Sequence, residues 1–302
     1  TIVNARFLLF TTKSSASSTR ALRVTSPVIN SSSVAPVVAD FTFSFNCLAE
    51  VPMETRFAAA RDAGFVDIGL SIRWMKIWLE NHDLNELDGL LDQFGLRVAE
   101  LEAIRVMGED QDPLEDLAAM LAGHLRPARL QAVGPYAGST DDAAHQAGRV
   151  ADRFGEWNVD VVLEPLPFTN MQTPADAAAI IQRADRPNLS MCMDVWHLYR
   201  MGLPLSHLDE LWPYISTVQF NDGTIECEFP EDLREDCLRN RRIPGLGEFD
   251  LVALIRARNA YRPDSTFSIE VIATELKAQD PFLTARHIAE GLDTVLTASR
   301  TN

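Results

Sequence analysis

From Asp40 onward, short runs rich in Val, Ile, Leu and Phe alternate with longer stretches whose apolar residues recur every three or four positions. The first pattern suits a buried strand and the second a surface helix with one apolar stripe. Strands are predicted over Phe41–Cys47, Val66–Ile72, Arg97–Ile104, Arg129–Val133, Val159–Leu163, Leu189–Asp194, Ile215–Phe220 and Phe267–Ile272. Between them, helices are predicted over Met53–Ala63, Leu84–Phe94, Pro113–Leu125, Asp141–Trp157, Pro174–Ala184, Asp250–Asn259 and Pro281–Leu296. Several open on cap signals. Thr173-Pro174 sets a hydroxyl before a first-turn proline, and Ser139-Thr140-Asp141-Asp142 supplies a cap and an acidic first turn. Strict βα alternation implies parallel strands, and eight such units in about 260 residues match a single closed (β/α)8 barrel in count and size. A doubly wound open sheet is the alternative, but it needs fewer strands, and no GxGxxG follows Phe41–Cys47.

Charge narrows the function. Against 43 Asp+Glu the 302 residues carry only 27 Lys+Arg, a formal net charge of −16. So acidic a chain is repelled by phosphate backbones and anionic lipid, which points away from nucleic acid and membrane surfaces and toward a small-molecule substrate. Further copies of the chain remain a possible partner. Cys47, Cys192, Cys227 and Cys237 form no CxxC pair, so zinc ribbons and disulfide scaffolds are not expected. Residues 1–39 stand apart: they hold 13 Ser or Thr and four basic residues, with no acid before Asp40. They are read as a disordered or targeting-like extension of a barrel spanning 40–302, in a cytoplasmic protein, with organellar targeting the less favoured reading.

In a barrel of this kind the chemistry sits at the C-terminal ends of the strands. Four of those ends are polar: Val162-Leu163-Glu164, Cys192-Met193-Asp194, Thr217-Val218-Gln219 and Ser268-Ile269-Glu270. Side chains alternate between faces along a strand. Each polar residue therefore shares the inner face with a small residue two positions earlier, while the apolar residue between them packs outward. Three converging carboxylates would repel one another without a counter-charge. A divalent cation supplies it, and the hard oxygen donors favour Mg²⁺ or Mn²⁺ over Zn²⁺ or Co²⁺.

At these residues the chain resembles the xylose isomerase-like TIM barrels, the sugar phosphate isomerase/epimerase superfamily. The matching segments are Leu163-Glu164-Pro165, Met193-Asp194-Val195-Trp196-His197, Val218-Gln219-Phe220-Asn221-Asp222-Gly223, Arg241-Arg242-Ile243-Pro244-Gly245-Leu246-Gly247 and Ser268-Ile269-Glu270-Val271. The resemblance implies metal ligands at Glu164, Asp194, Gln219 and Glu270. Gln219 stands where many members carry His. That substitution, with VQxxD and RxxPGxG, is similar to the 3-dehydroshikimate dehydratase branch. The resemblance also implies that His197 faces the substrate. An Arg fork suits a carboxylate or phosphate, so Arg241 beside the glycine loop is read as meeting an anionic substrate group, with Arg242 a weaker candidate, and Asp222 is read as orienting the metal site or a neighbouring side chain. Arg105, just past the third strand, could reach the same mouth, and Trp196 and Trp74 could wall it.

The function implied is a divalent-metal-dependent isomerase or epimerase acting on a small polyhydroxylated carbonyl compound, sugar or sugar phosphate. The metal would hold a carbonyl and acidify the adjacent proton, which Glu164, Glu270 or His197 would move. A 3-dehydroshikimate dehydratase-like lyase is the alternative. A zinc endonuclease of the same superfamily, or a metal-free binding barrel, is further off: the six histidines place only His197 at a recognised strand end.

Overall fold

A computed structural model describes residues 37–105 and 111–301. Eight parallel strands close into a barrel in chain order: β1 (Phe41–Phe43), β2 (Asp67–Ser71), β3 (Arg97–Arg105), β4 (Arg129–Val133), β5 (Asp160–Glu164), β6 (Leu189–Asp194), β7 (Ile215–Phe220) and β8 (Thr266–Ile269). The (β/α)8 expectation therefore holds, and β8 pairs with β1 to close the sheet. The extension expected over 1–39 falls, except for its last three residues, outside the described residues. Among those described, no helix is long and apolar enough to cross a membrane.

Local chemistry sets the helix boundaries. Asp83, Ser139 and Thr173 each accept the backbone N–H three residues on, and Glu86, Asp142 and Asp176 return the bond to the cap, closing three capping boxes. Helix 140–155 buries Ala143, Ala144, Ala147, Val150, Ala151 and Phe154 on one face. Such small residues let it lie close against the strands and helix 174–184.

Outward-facing strand residues such as Leu70, Leu130, Leu163, Met191, Val218 and Ile269 are fully buried under the helices and form the apolar core. The inner face is polar. Two strands stop earlier than expected, and each stop shapes the mouth. After Phe43 the chain bends at Ser44, whose Oγ accepts the Asn46 N–H at 3.1 Å, and a 3-10 turn runs over Phe45–Leu48. At β8 the ladder ends with the Glu270 N–H donating to the Phe220 carbonyl at 2.9 Å, after which the Ile272 carbonyl accepts instead from the Arg241 N–H at 3.2 Å. Two short helices, Ile72–Trp78 and Val195–Arg200, begin directly at the ends of β2 and β6.

Candidate active site at the barrel mouth

The four strand-end residues lie inside the barrel as their parity requires, and all are buried. Glu164 Oε1 meets His197 Nε2 at 3.1 Å, while Oε2 accepts from Gln131 Nε2 at 2.9 Å. Asp194 caps the short helix that follows it: Oδ1 accepts the Trp196 N–H at 2.7 Å and Asn221 Nδ2 at 2.9 Å. That cap turns His197 back over the strand ends. One ligand atom each from Glu164, Asp194 and His197 lies within 4.8 Å of the others. Gln219 is tied in from the side, its Oε1 accepting from Gln131 Nε2 at 3.3 Å. Glu270 joins through Arg241, whose NH1 donates to Asp194 Oδ2 and to Glu270 Oε2, both at 2.8 Å.

Arg241, expected to meet an anionic group of the substrate, is buried, 1% exposed. The cause is the glycine loop. Asp222 and Arg242 exchange backbone hydrogen bonds (3.0 and 2.7 Å), which turns Arg241 inward. The Asp222 carboxylate then accepts four backbone N–H groups, from Gly223, Gly245, Gly247 and Phe249, at 2.8–3.1 Å. A Cβ at residue 247 would collide with that carboxylate, and Gly245 has φ +82°. The glycines thus let the loop wrap Asp222. Arg242 points outward to Glu228 and Glu275. Trp196 is likewise fully buried, its ring edge-on to His197, so it backs the histidine and leaves the mouth to others. Arg105 is exposed at the end of β3, and Trp74 is exposed near Phe45.

The sequence reading missed the other half of the mouth. Glu102, on β3, is 4% exposed. Its Oε2 accepts from Asn46 Nδ2 at 3.0 Å and Ser44 Oγ at 3.2 Å, and the same two donors reach Glu270 Oε1 at 2.7 and 3.3 Å. Gly69 on β2 leaves room for it, since a Cβ there would strike Glu102 Oε1. The missed signal is the alternation Glu100-Leu101-Glu102 beside Arg129-Leu130-Gln131, with polar residues at period two in strands buried on both faces.

Burial dominates the electrostatics. It pushes Glu102 well above the usual carboxylate range, with Glu100 and Glu270 adding to the effect. Burial likewise lifts Glu270 to about 7, restrained by Arg241 and reinforced by Glu164 and Asp194. Asp194 goes the other way: burial would raise it, but Arg241 and His197 together hold it below its ordinary value. Glu102 Oε1, His197 Nδ1, Gln219 Nε2 and Asn221 Oδ1 are buried without a hydrogen-bond partner. Four carboxyl groups and a half-unpartnered imidazole around one guanidinium form an oxygen-rich donor set short of positive charge, which fits a divalent ion.

Residues 57–294 match the family model described as xylose isomerase-like TIM barrel. The chain belongs to that family. Its solved structural neighbours agree on the fold. IolI, determined with a bound zinc atom, is 16% identical, with a TM-score of 0.75 over 87% of this chain and 99% of its own. AsbF of Bacillus anthracis, described as a probable 3-DHS dehydratase, is 16% identical, with a TM-score of 0.67 over 85% and 98%. A xylose isomerase-like TIM barrel protein of Mycobacterium smegmatis in complex with magnesium is 15% identical, with a TM-score of 0.61 over 86% and 96%. No curated protein sequence matches the chain.

Proposed function

We propose that this xylose isomerase-like barrel is a divalent-metal-dependent enzyme that removes the proton beside the carbonyl of a small polyhydroxylated compound, as a sugar isomerase or epimerase does. The observation that carries the reading is the convergence of Glu164, Asp194 and His197 at the mouth, with Glu270 linked to Asp194 through Arg241. Glu164, Asp194, Gln219 and Glu270 would hold the ion, Mg²⁺ or Mn²⁺ ahead of Zn²⁺ or Co²⁺, with His197 beside them. Neighbours of the same fold with zinc or magnesium support the reading. When bound, the ion supplies a Lewis acid for a carbonyl and its adjacent hydroxyl. Glu164 Oε1, in contact with His197 Nε2, and Glu270 Oε1, in contact with Asn46, are the atoms that would take the proton and return it. Phe168, edge-on to His197, would help to exclude water. Replacing Glu270 with Gln should abolish retention of the ion, read by metal analysis, and α-proton exchange in deuterated water across a panel of ketoses and their phosphates. Retention and exchange at the wild-type level would refute the assignment.

A dehydratase is the second reading, favoured by the amide of Gln219 at the β7 position and by the likeness to AsbF. The first half is shared, and loss of a β-hydroxyl replaces reprotonation. Assay with 3-dehydroshikimate separates the two. A nucleic-acid substrate is not favoured: the net charge is −16, and His197 is the one histidine in the cluster of candidate ligands.

A further inference from the structure

The site itself engages every nitrogen of the Arg241 guanidinium. NH1 donates to Asp194 Oδ2, Glu270 Oε2 and, at 3.1 Å, the Glu270 carbonyl; NH2 meets Cys237 Sγ at 3.2 Å and Nε the Cys237 carbonyl at 3.3 Å. The Trp196 ring lies 5.8 Å from its central carbon. A substrate anion could reach this group only by displacing Asp194 or Glu270. Arg56 is engaged on the carbonyls of Leu48, Ala49 and Val51, and Arg200 is held by Asp236 and the Thr224 carbonyl through Nε and NH1, its NH2 being buried without a partner.

We propose that Arg241 is a positioning residue for the ion-binding carboxylates and a resident competitor of the ion: it holds Asp194 and Glu270 together while the ion is away, and its charge keeps the ion exchangeable. The inference rests on the divalent-ion reading above. Counting only the carboxylates proposed as ligands, Glu164, Asp194 and Glu270 with one guanidinium leave a deficit of two charges, which one divalent ion closes; Glu102 is not among those ligands. With a neutral side chain at 241 the deficit is three, and the ion-free site loses its internal counter-cation. The variant therefore loses more stability without the ion than with it, and a thermodynamic cycle then requires its affinity for the ion to rise.

The test uses the full chain, stripped by chelation and titrated with Mn²⁺ alone, with free ion followed by electron paramagnetic resonance and ion-free Tm measured in parallel. Arg241→Gln keeps a hydrogen-bond donor but not the charge. It should bind Mn²⁺ about tenfold tighter or more, with a lower ion-free Tm. Arg241→Lys, which keeps the charge, should stay within about threefold of wild type. A Gln variant that folds only with Mn²⁺ would support the proposal. Unchanged or weaker affinity in Arg241→Gln would overturn it while leaving the metal reading intact. If the Gln variant folds in neither state, loss of Mn²⁺ binding in the Lys variant overturns it. Absence of Mn²⁺ binding in wild type and variants alike would remove the metal reading and the inference together.

Discussion

The barrel interior carries two ionic layers, set two residues apart along the same strands. The floor holds Thr42, Glu100, Arg129, Thr217 and Ser268; the mouth holds Ser44, Glu102, Gln131, Gln219 and Glu270, joined by Glu164 and Asp194. On the floor one acid meets one base. Arg129 Nε donates to Glu100 Oε2 at 2.5 Å, and its other nitrogens reach Thr42 and Thr266 at 3.0 and 3.2 Å. Ser268 supplies the remaining Glu100 oxygen at 3.4 Å. At the mouth there is one arginine for four carboxyls, and it reaches only Asp194 and Glu270, while two polar atoms of the layer, Glu102 Oε1 and Gln219 Nε2, have no partner. The same fold can thus close a buried polar layer completely, so the open accounts of the mouth are specific to that layer. A closed layer stabilises the barrel, whereas an open one is suited to bind something.

The contrast breaks most sharply at Arg129. Arg129→Met leaves Glu100 buried without its counter-charge, an expected loss of about 3–5 kcal/mol, while metal content per folded molecule stays unchanged. Adding Glu100→Met should return most of the loss in denaturant unfolding, because a matched apolar pair leaves no orphaned charge. If the double variant is no more stable than the single one, the floor is not an isolated pair.

On the proposed reading the mouth answers to the ion instead. At a hundredfold excess over its Kd, Mn²⁺ should stabilise the wild type by about 2.7 kcal/mol, seen as a rise in Tm that a chelator reverses. Glu164→Gln should abolish that rise, whereas the double floor variant should keep it. Equal shifts in Glu164→Gln and wild type would mean that the ion binds elsewhere.

The two layers were unequally legible in sequence. Glu164, Asp194, Gln219 and Glu270 could be found because each ends its run of apolar alternation, where a polar residue stands out. Glu102 could not be found by that rule. Its strand continues to Arg105, with a register shift between Leu101 and Ile104 against β4, so it lies at mouth height without ending the strand. Asn46 shares strand parity with Thr42 and Ser44, but it lies in the turn over Phe45–Leu48 rather than at a strand end, and its contacts with Glu102 and Glu270 follow from that turn. For Arg241 the loop composition announced an arginine beside glycines. Its inward turn depends on the bridge between Asp222 and Arg242, a pairing across 20 residues that local pattern does not encode. The barrel itself was legible because eight βα repeats depend on periodicity alone, and the observed limits of β4, β6, β7 and of helices 84–94 and 174–184 coincide with the predicted ones.

A third ionic cluster, outside the barrel, sharpens the comparison at its small end. Glu115 opens helix 115–125 with its side chain fully enclosed, and Arg149 from helix 140–155 grips it with two bonds of 2.8 and 2.9 Å while Arg153 adds a third at 2.6 Å. Unlike Arg129, these two arginines remain 38% and 31% exposed, so water can recover them if the acid is lost. Glu115→Gln should therefore cost only about 1.5 kcal/mol at neutral pH, the lower end for hydrogen bonds to a charged group. Burial alone would raise the Glu115 pKa, but the two arginines outweigh it and hold the carboxyl below its ordinary value in the folded protein. In the unfolded chain the group takes up its proton at higher pH than in the fold. Its contribution is thus fully present above the unfolded value and is lost as pH falls through the folded one. Between pH 7 and pH 3 the Tm of wild type should fall more steeply than that of Glu115→Gln, and the two curves should converge at the acid end. Parallel curves over that range would show that the cluster between these helices contributes no pH-dependent stability.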